Sequence, residues 1–218
     1  FQALYNIVDS VFVARLSQDA MNAVSLAFPL QMLCIAFSVG TGVGINALLA
    51  RSLGEKNQVA VNRAAGTGLF LVLCTAAVFM LLGFTLAEPF FRLQTANEQI
   101  IAYGRDYVTI CIGGSLGIFV QVYGERLLQA TGRTNLSMIA QIAGAVCNIV
   151  LDPILIFGLL GFPRLEVAGA AVATIVGQFV GAILGLVLNH TKNPEVQLRA
   201  KNICFHAATT TEIYTVGV

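Results

Sequence analysis

The chain contains apolar runs that are long enough to cross a lipid bilayer. A helix rises about 1.5 Å per residue, so about 20 apolar residues span a hydrocarbon core about 30 Å thick. Hydrophobic residues make up 57% of the chain and charged residues 11%, whereas soluble domains carry about 25% charged residues. The sequence therefore predicts an all-α integral membrane protein, a six-transmembrane-helix bundle. The predicted spans are residues 1–16 (lacking its first turns), 23–50, 64–87, 103–130, 136–160 and 167–188.

Both ends of the sequence fall inside apolar segments. Residue 1 is a Phe within an apolar run, residues 189–211 are polar, and the apolar pattern resumes at residues 212–218. We therefore expect an internal fragment of a longer protein. In this interpretation residues 1–188 form one lobe, residues 189–211 a linker and residues 212–218 the start of the next helix.

Basic residues are distributed unequally between alternate loops. The loops after spans two, four and six hold eight of them: Arg51, Lys56, Arg63, Arg126, Arg133, Lys192, Arg199 and Lys201. The other loops hold four: Arg15, Arg92, Arg105 and Arg164. Cytoplasmic loops of membrane proteins are enriched in Lys and Arg. We predict a multi-pass protein of the cell membrane, with the first set of loops, the N-terminus and the linker in the cytoplasm.

Span five carries two polar residues inside the apolar stretch CNIVLDPILIFGLL. Asn148 and Asp152 are four residues apart, so they share one face of a helix. A charge at the bilayer centre costs about 2.5–3.5 kcal/mol, which requires a compensating interaction. Pro153 has no N–H and leaves the carbonyl of Ile149 without its helical donor. Such a group of hard oxygens suits a proton or a small cation, and the alternative is a hydrogen-bond anchor between helices.

A second acidic residue, Asp9, lies in span one among Val8, Val11, Phe12 and Val13. Its neighbours place it in the hydrocarbon zone, where acidic residues usually serve a function. The alternative is a residue at the membrane interface, at the end of a helix. Asp9 and Asp152 are the two acidic residues that we expect in mid-membrane, and we predict that their carboxyl groups approach to within one bridging ion or water.

Several other functions have no support in the sequence. The net charge of +1 and the lack of a basic stripe argue against a nucleic-acid partner. The five cysteines show no CxxC spacing, so we expect neither a disulfide framework nor a cysteine metal site. A glycine-rich run at residues 38–46 has no following Lys and no preceding strand, which is unlike a phosphate loop. Close packing of helices is the better account of this run.

The sequence resembles the multidrug and toxic compound extrusion (MATE) transporters along nearly its whole length. The matching segments are LYNIVDSVFVARL, ALLARSLGEKN, ERLLQATGRTNLSM, NIVLDPILIFG and GAAVAT. The resemblance implies twelve helices in two six-helix lobes, of which this chain is similar to the N-terminal one. It also implies secondary active export of small molecules, mainly organic cations and other amphiphiles, against Na⁺ or H⁺. The expected partners are these substrates, the bilayer and a C-terminal lobe, with no cofactor besides the coupling ion and no enzymatic activity.

One branch of the family has a cation site in the N-terminal lobe, and its motif positions are occupied here by Asp9, Asn148, Asp152 and Thr174. By this resemblance the two Asp residues would bind Na⁺ or H⁺, and Asn148 and Thr174 would act as neutral oxygen ligands. Thr174 has an alternative role, a hydrogen bond to its own helix backbone. The resemblance assigns no catalytic residues, and the motifs name no substrate-binding residues.

Three other functions stay open at this point. A lipid-linked oligosaccharide flippase of related fold would need a basic central cavity, but no Lys or Arg is expected in mid-span. An intramembrane aspartyl protease pairs a YD with a GxGD motif, whereas the contexts here are IVDS and IVLDP. The third alternative is an inert truncated half-transporter.

Overall fold

The computed structural model describes residues 11–197 and 203–216, and all the regular elements in these residues are helices. A short helical segment at residues 11–14 comes first. The α-helices that follow are α1 (Gln18–Gly54), α2 (Gln58–Arg92), α3 (Glu98–Gly113), α4 (Leu116–Ala130), α5 (Thr134–Phe157), α6 (Glu166–Lys192) and α7 (Ala207–Val216). A 3₁₀ turn, Leu159–Gly161, lies between α5 and α6.

The predicted all-α membrane fold is confirmed. Five segments are long and apolar enough to cross a membrane, namely α1, α2, the α3–α4 pair, α5 and α6. The predicted first span, residues 1–16, lies largely outside the described residues. The five segments pack against one another as one bundle.

Helices α1 and α2 begin earlier than the predicted spans, and polar side chains cap their first turns. Ser17 Oγ accepts a hydrogen bond from the N–H of Ala20 at 3.1 Å, and Asn57 Oδ1 accepts one from Ala60 at 3.1 Å. Such caps satisfy N–H groups that have no partner in the first turn. With 37 and 35 residues, α1 and α2 reach about 55 Å, so their ends extend beyond the hydrocarbon core. Helix α7 begins at Ala207, inside the segment predicted as linker.

The predicted fourth span is divided in two at its glycines. Helix α3 ends at Gly113, and α4 begins at Leu116. At the break, Ser115 Oγ donates to the carbonyl of Ala76 on α2 at 3.4 Å. A Cβ added to Gly83 of α2 would lie 2.7 Å from the backbone nitrogen of Gly113. The glycine here therefore allows the backbone of α2 to lie against the break.

Helices α5 and α6 pack with their backbones in contact. A Cβ added to Gly177 would lie 2.7 Å from the carbonyl oxygen of Gly144, and one added to Gly169 would lie 2.7 Å from the carbonyl carbon of Leu155. The small-residue run at the start of α6 has this effect because only a hydrogen stands between the two backbones. This contact determines which polar side chains of the two helices meet.

Loops that follow α1, α4 and α6 meet at one end of the bundle. Arg133 Nη2 lies 3.6 Å from Glu195 Oε1, and Gln58 Nε2 donates to the carbonyl of Glu195 at 2.7 Å. Helix α7 packs beside this end, where the carbonyl of Ile213 contacts α1 at Gly44. At the other end, Tyr103 Oη donates to Glu166 Oε2 at 2.7 Å. The loops therefore alternate between two ends, as a bundle of spanning helices requires.

Candidate cation site

Three of the four predicted site residues lie together inside the bundle. Asn148 and Asp152 of α5 are both 0% exposed, and Thr174 of α6 is 8% exposed. The Asn148 Nδ2 group lies 3.3 Å from Asp152 Oδ1 and 3.4 Å from Thr174 Oγ1, and donates to both. The amide therefore links a carboxylate on its own helix to a hydroxyl on the next.

The position of this cluster follows from the helix period and from one glycine. Four residues separate Asn148 from Asp152, which puts them on one face of α5. A Cβ added to Gly177 would lie 3.0 Å from Asn148 Cβ, so α6 passes directly over the amide. Thr174 stands one turn before this glycine and therefore comes within reach of Asn148.

The described part of the cluster offers oxygen atoms to a cation. Asn148 Oδ1 is buried and has no hydrogen-bond partner among the residues that the structure describes. A buried polar atom without a partner is costly and marks a site that a ligand or ion would satisfy. Together with the Asp152 carboxylate and the Thr174 hydroxyl, it makes a set of hard oxygen donors suited to Na⁺. The carboxylate alone suffices for a proton.

A second buried asparagine provides a comparison within the same chain. Asn189 Nδ2 donates to the carbonyls of Gly124 and Gly185, both at 2.8 Å. Its Oδ1 accepts from Asn193 Nδ2 at 3.0 Å. Asn189 is thus satisfied at both ends of its amide, as expected of a structural anchor between helices. Asn148 differs because its oxygen is left without a hydrogen-bond donor in the described chain.

The fourth predicted residue, Asp9, lies outside the described residues. Its membership in the cluster and its approach to Asp152 stay predictions. Thr174 was the residue with an alternative bond to its own helix, and the structure places its hydroxyl against Asn148 on α5.

The sequence analysis missed a buried acidic residue, Glu125 on α4. Its side chain is 5% exposed, and its two carboxylate oxygens accept hydrogen bonds from Gln121 Nε2 at 3.0 Å and Gln141 Nε2 at 3.1 Å. It was overlooked because Arg126, its neighbour in sequence, was assigned to the following loop. The signal was the spacing of Gln121 and Glu125, which are four residues apart on one helix face. The sequence analysis named Asp9 and Asp152 as the acidic residues expected in mid-membrane, and Glu125 is a further acidic residue buried inside the bundle.

A family model and the curated relatives of this chain agree on the kind of protein that it resembles. The MatE family model matches residues 1–154. The "FAD transporter" of Shewanella oneidensis is 31% identical over 85% of this chain and 42% of its own length. The "Probable multidrug resistance protein NorM" of Thermotoga maritima is 32% identical over 99% of this chain and 46% of its own length. The chain thus spans less than half the length of these curated relatives.

Solved structures agree with the sequence matches. A multidrug resistance MATE family transporter in its inward-facing conformation superimposes with a TM-score of 0.92 and 28% identity, over 100% of this chain and 49% of that one. A multidrug resistance MATE family transporter in an outward-facing conformation gives a TM-score of 0.90 and 28% identity, over 99% of this chain and 47% of that one. The bundle therefore corresponds to about half of such a transporter. The chain, by its family model and its fold, belongs to the MatE family of transporters.

Proposed function

We propose that the complete protein exports small molecules by antiport, and that the lobe described here carries the site of the coupling ion. In this proposal residues 1–188 form the N-terminal lobe, residues 189–211 the linker between lobes, and a C-terminal lobe completes the transporter in the cell membrane. Asp152 and Asp9 take up the ion, Na⁺ or H⁺, and Asn148 and Thr174 supply neutral oxygens. The exported substrates are organic cations and other amphiphiles.

One observation carries this proposal, the juxtaposition of the buried Asp152 carboxylate with the amide oxygen of Asn148. A membrane protein does not usually retain a charge in its interior without a functional use. The amide adds an acceptor that no described side chain satisfies. A cation binding there would satisfy both groups at once. One relative is named as a multidrug resistance protein, which supports drugs as substrates, and another is named as an FAD transporter. The substrate panel in an assay should therefore include a flavin nucleotide.

The packing around the site suggests how ion binding acts on conformation. A ligand shifts a conformational equilibrium only by its difference in affinity for the two states. Asn148 lies where α5 and α6 touch through Gly144 and Gly177. Since the backbones there leave no free space, a change in the position of Asn148 or Thr174 moves α6 relative to α5. The ion-loaded site therefore favours one access state, and bound export substrate favours the other.

The test is the substitution Asp152→Asn in the full-length protein, which removes the charge at nearly constant volume. The readout is substrate efflux from proteoliposomes under an imposed Na⁺ gradient and, separately, under an imposed pH gradient. The proposal expects loss of driven efflux, with the protein still folded and as thermally stable as the wild type or more so. Removal of the charge relieves an insertion cost of about 2.5–3.5 kcal/mol.

A structural anchor would behave differently. Asn at position 152 would keep most of its hydrogen bonds, and such bonds are worth about 0.6–2 kcal/mol in membrane helices. Asp106→Asn is the matched control, because this carboxylate is half exposed and pairs with the neighbouring Arg105. Efflux by Asp152→Asn within about twofold of the wild type, or about 0.4 kcal/mol of barrier, would remove Asp152 from the mechanism.

A further inference from the structure

The interior of the bundle contains a second carboxylate that the proposed antiport mechanism does not use. Glu125 lies five residues before the end of α4 and is 5% exposed. Gln121, one turn earlier on α4, and Gln141 on α5 each donate an N–H to one of its oxygens, at 3.0 and 3.1 Å. From these contacts we propose that Glu125, Gln121 and Gln141 form a second site for a monovalent cation. The inference rests on the proposed function, that of a cation-driven exporter.

The first step is the charge of the cluster. Glu125 makes no ion pair within residues 11–197 and 203–216. Arg126 is the charged group that acts on it through space, but the Arg126 Nη1 group bonds Gln129 Oε1 at 2.7 Å. The two glutamines stabilise a negative charge by hydrogen bonds and do not neutralise it. A buried anion without a partner ion is strongly unfavourable, and a bound cation removes this penalty.

The second step is the chemistry of the donors. A glutamine amide has an oxygen as well as an N–H group, so rotation about its last side-chain bond presents either one to the carboxylate. With Na⁺ bound, the two amide oxygens and the carboxylate would serve as hard ligands. With a proton bound, the carboxyl O–H would donate to one amide oxygen. On the α6 side Gly181 packs against Gln121, where its added Cβ would lie 2.9 Å from Gln121 Cδ, and a glycine brings no side-chain charge to this contact. The cluster therefore takes one positive charge, as H⁺ or as Na⁺.

The third step is the separation of the two sites. Gln141 and Asn148 are seven residues apart on α5, so they face the same way at about 10.5 Å along the helix axis. Between them Gly144 touches Gly177 of α6 through the backbone. Each carboxylate therefore has its own set of ligands, and the two sites share one helix face and one helix–helix contact.

The experiment measures thermal melts of the purified full-length protein. One series raises NaCl at constant ionic strength with choline chloride, and the other lowers the pH without sodium. The proteins are the wild type, Asp152→Asn, Glu125→Gln and the double variant. We expect a cation-dependent rise in Tm for the wild type, a smaller rise for each single variant and no rise for the double variant. The series that shows this pattern distinguishes Na⁺ from H⁺.

Two further variants keep the result interpretable. Glu98→Gln neutralises a carboxylate that is 77% exposed and should match the wild type. Glu125→Asp keeps the charge, so both sites should still contribute to the rise in Tm. The contribution of the Glu125 site should require a higher cation concentration to reach half of its full value. The proposal is overturned if Asp152→Asn alone abolishes the whole rise in Tm, because an intact Glu125 would then contribute nothing to cation binding. It is also overturned if Glu125→Gln melts like the wild type at every cation concentration and pH. Normal efflux by Asp152→Asn would instead contradict the proposed function, which is a separate measurement.

Discussion

Asn148 on α5 donates a hydrogen bond to Thr174 on α6, with 3.4 Å between Nδ2 and Oγ1. The same nitrogen lies 3.3 Å from Asp152 Oδ1. Both distances are longer than the usual range for N–H···O bonds, about 2.7–3.2 Å with a mode at about 2.9–3.0 Å. The bridge between the two helices is therefore weak, and the amide can exchange its donor role for that of an oxygen ligand at little cost.

The first prediction concerns the amide of Asn148. The substitution Asn148→Leu keeps a similar volume and removes both the N–H donor and the oxygen. We expect the cation-dependent increase in Tm from the Asp152 site to be lost, with a drop in stability of about 1–3 kcal/mol because Asp152 loses a donor. Thermal melts with and without the coupling cation measure both effects.

The matched control is Asn189→Leu, which removes a buried amide that bonds two backbone carbonyls. It should lower the Tm while leaving the increase caused by the cation unchanged. If both variants keep the full cation effect, Asn148 acts as an anchor like Asn189.

The second prediction concerns Asp9 and Asp152. If the two carboxylates share one ion, with metal–oxygen distances of about 2.3–2.6 Å, their nearest oxygens should lie within about 5 Å of each other. An experimental structure of the full-length protein with its coupling cation measures this distance. A separation of more than about 10 Å, which is the screening length at ordinary ionic strength, would rule out a shared site.

The third prediction concerns the glycine at the contact of α5 and α6. In Gly177→Ala the new methyl group would lie 2.7 Å from the carbonyl oxygen of Gly144. The backbones must therefore separate, at a cost of about 1–3 kcal/mol. We expect a lower Tm together with weaker cation binding, because Asn148 moves with the contact.

The control for this variant is Gly40→Ala, also in the middle of a helix, where an added Cβ meets nothing within 4 Å. Since Ala is favoured over Gly in a helix by about 1 kcal/mol, its Tm should stay the same or rise. If Gly177→Ala and Gly40→Ala had the same Tm, α5 and α6 would separate without a measurable loss of stability.

The fourth prediction concerns orientation. On the positive-inside rule, Arg51, Arg63 and Arg133 lie in the cytoplasm. In a variant with the five native cysteines replaced, a Cys at each position should resist an impermeant thiol reagent on intact cells and react after permeabilisation. A Cys at Arg92, at the other end of the bundle, should react on intact cells. The opposite labelling pattern would reverse the proposed topology.

The membrane fold was predictable because it depends on local composition. Apolar runs such as residues 64–87 are long enough to span the bilayer whatever they pack against, and helix α2 contains this run entirely. The ends of the helices were less predictable, since the polar cap residues Ser17 and Asn57 look like ordinary loop residues in the sequence. The break in the fourth span was visible only as a set of glycines.

The candidate site was likewise predictable from the sequence only in part. Asn148 and Asp152 were paired by the sequence itself, because the period of the helix brings residues four apart onto one face. The contact with Thr174 was decided by the tertiary structure, since it needs α6 to approach α5 at Gly177. The burial of Glu125 was likewise decided by packing, which brings Gln141 to its carboxylate from another helix. A sequence specifies which residues share a helix face, but the helix that covers this face, and the polar groups that it brings, depend on how closely two backbones can pack.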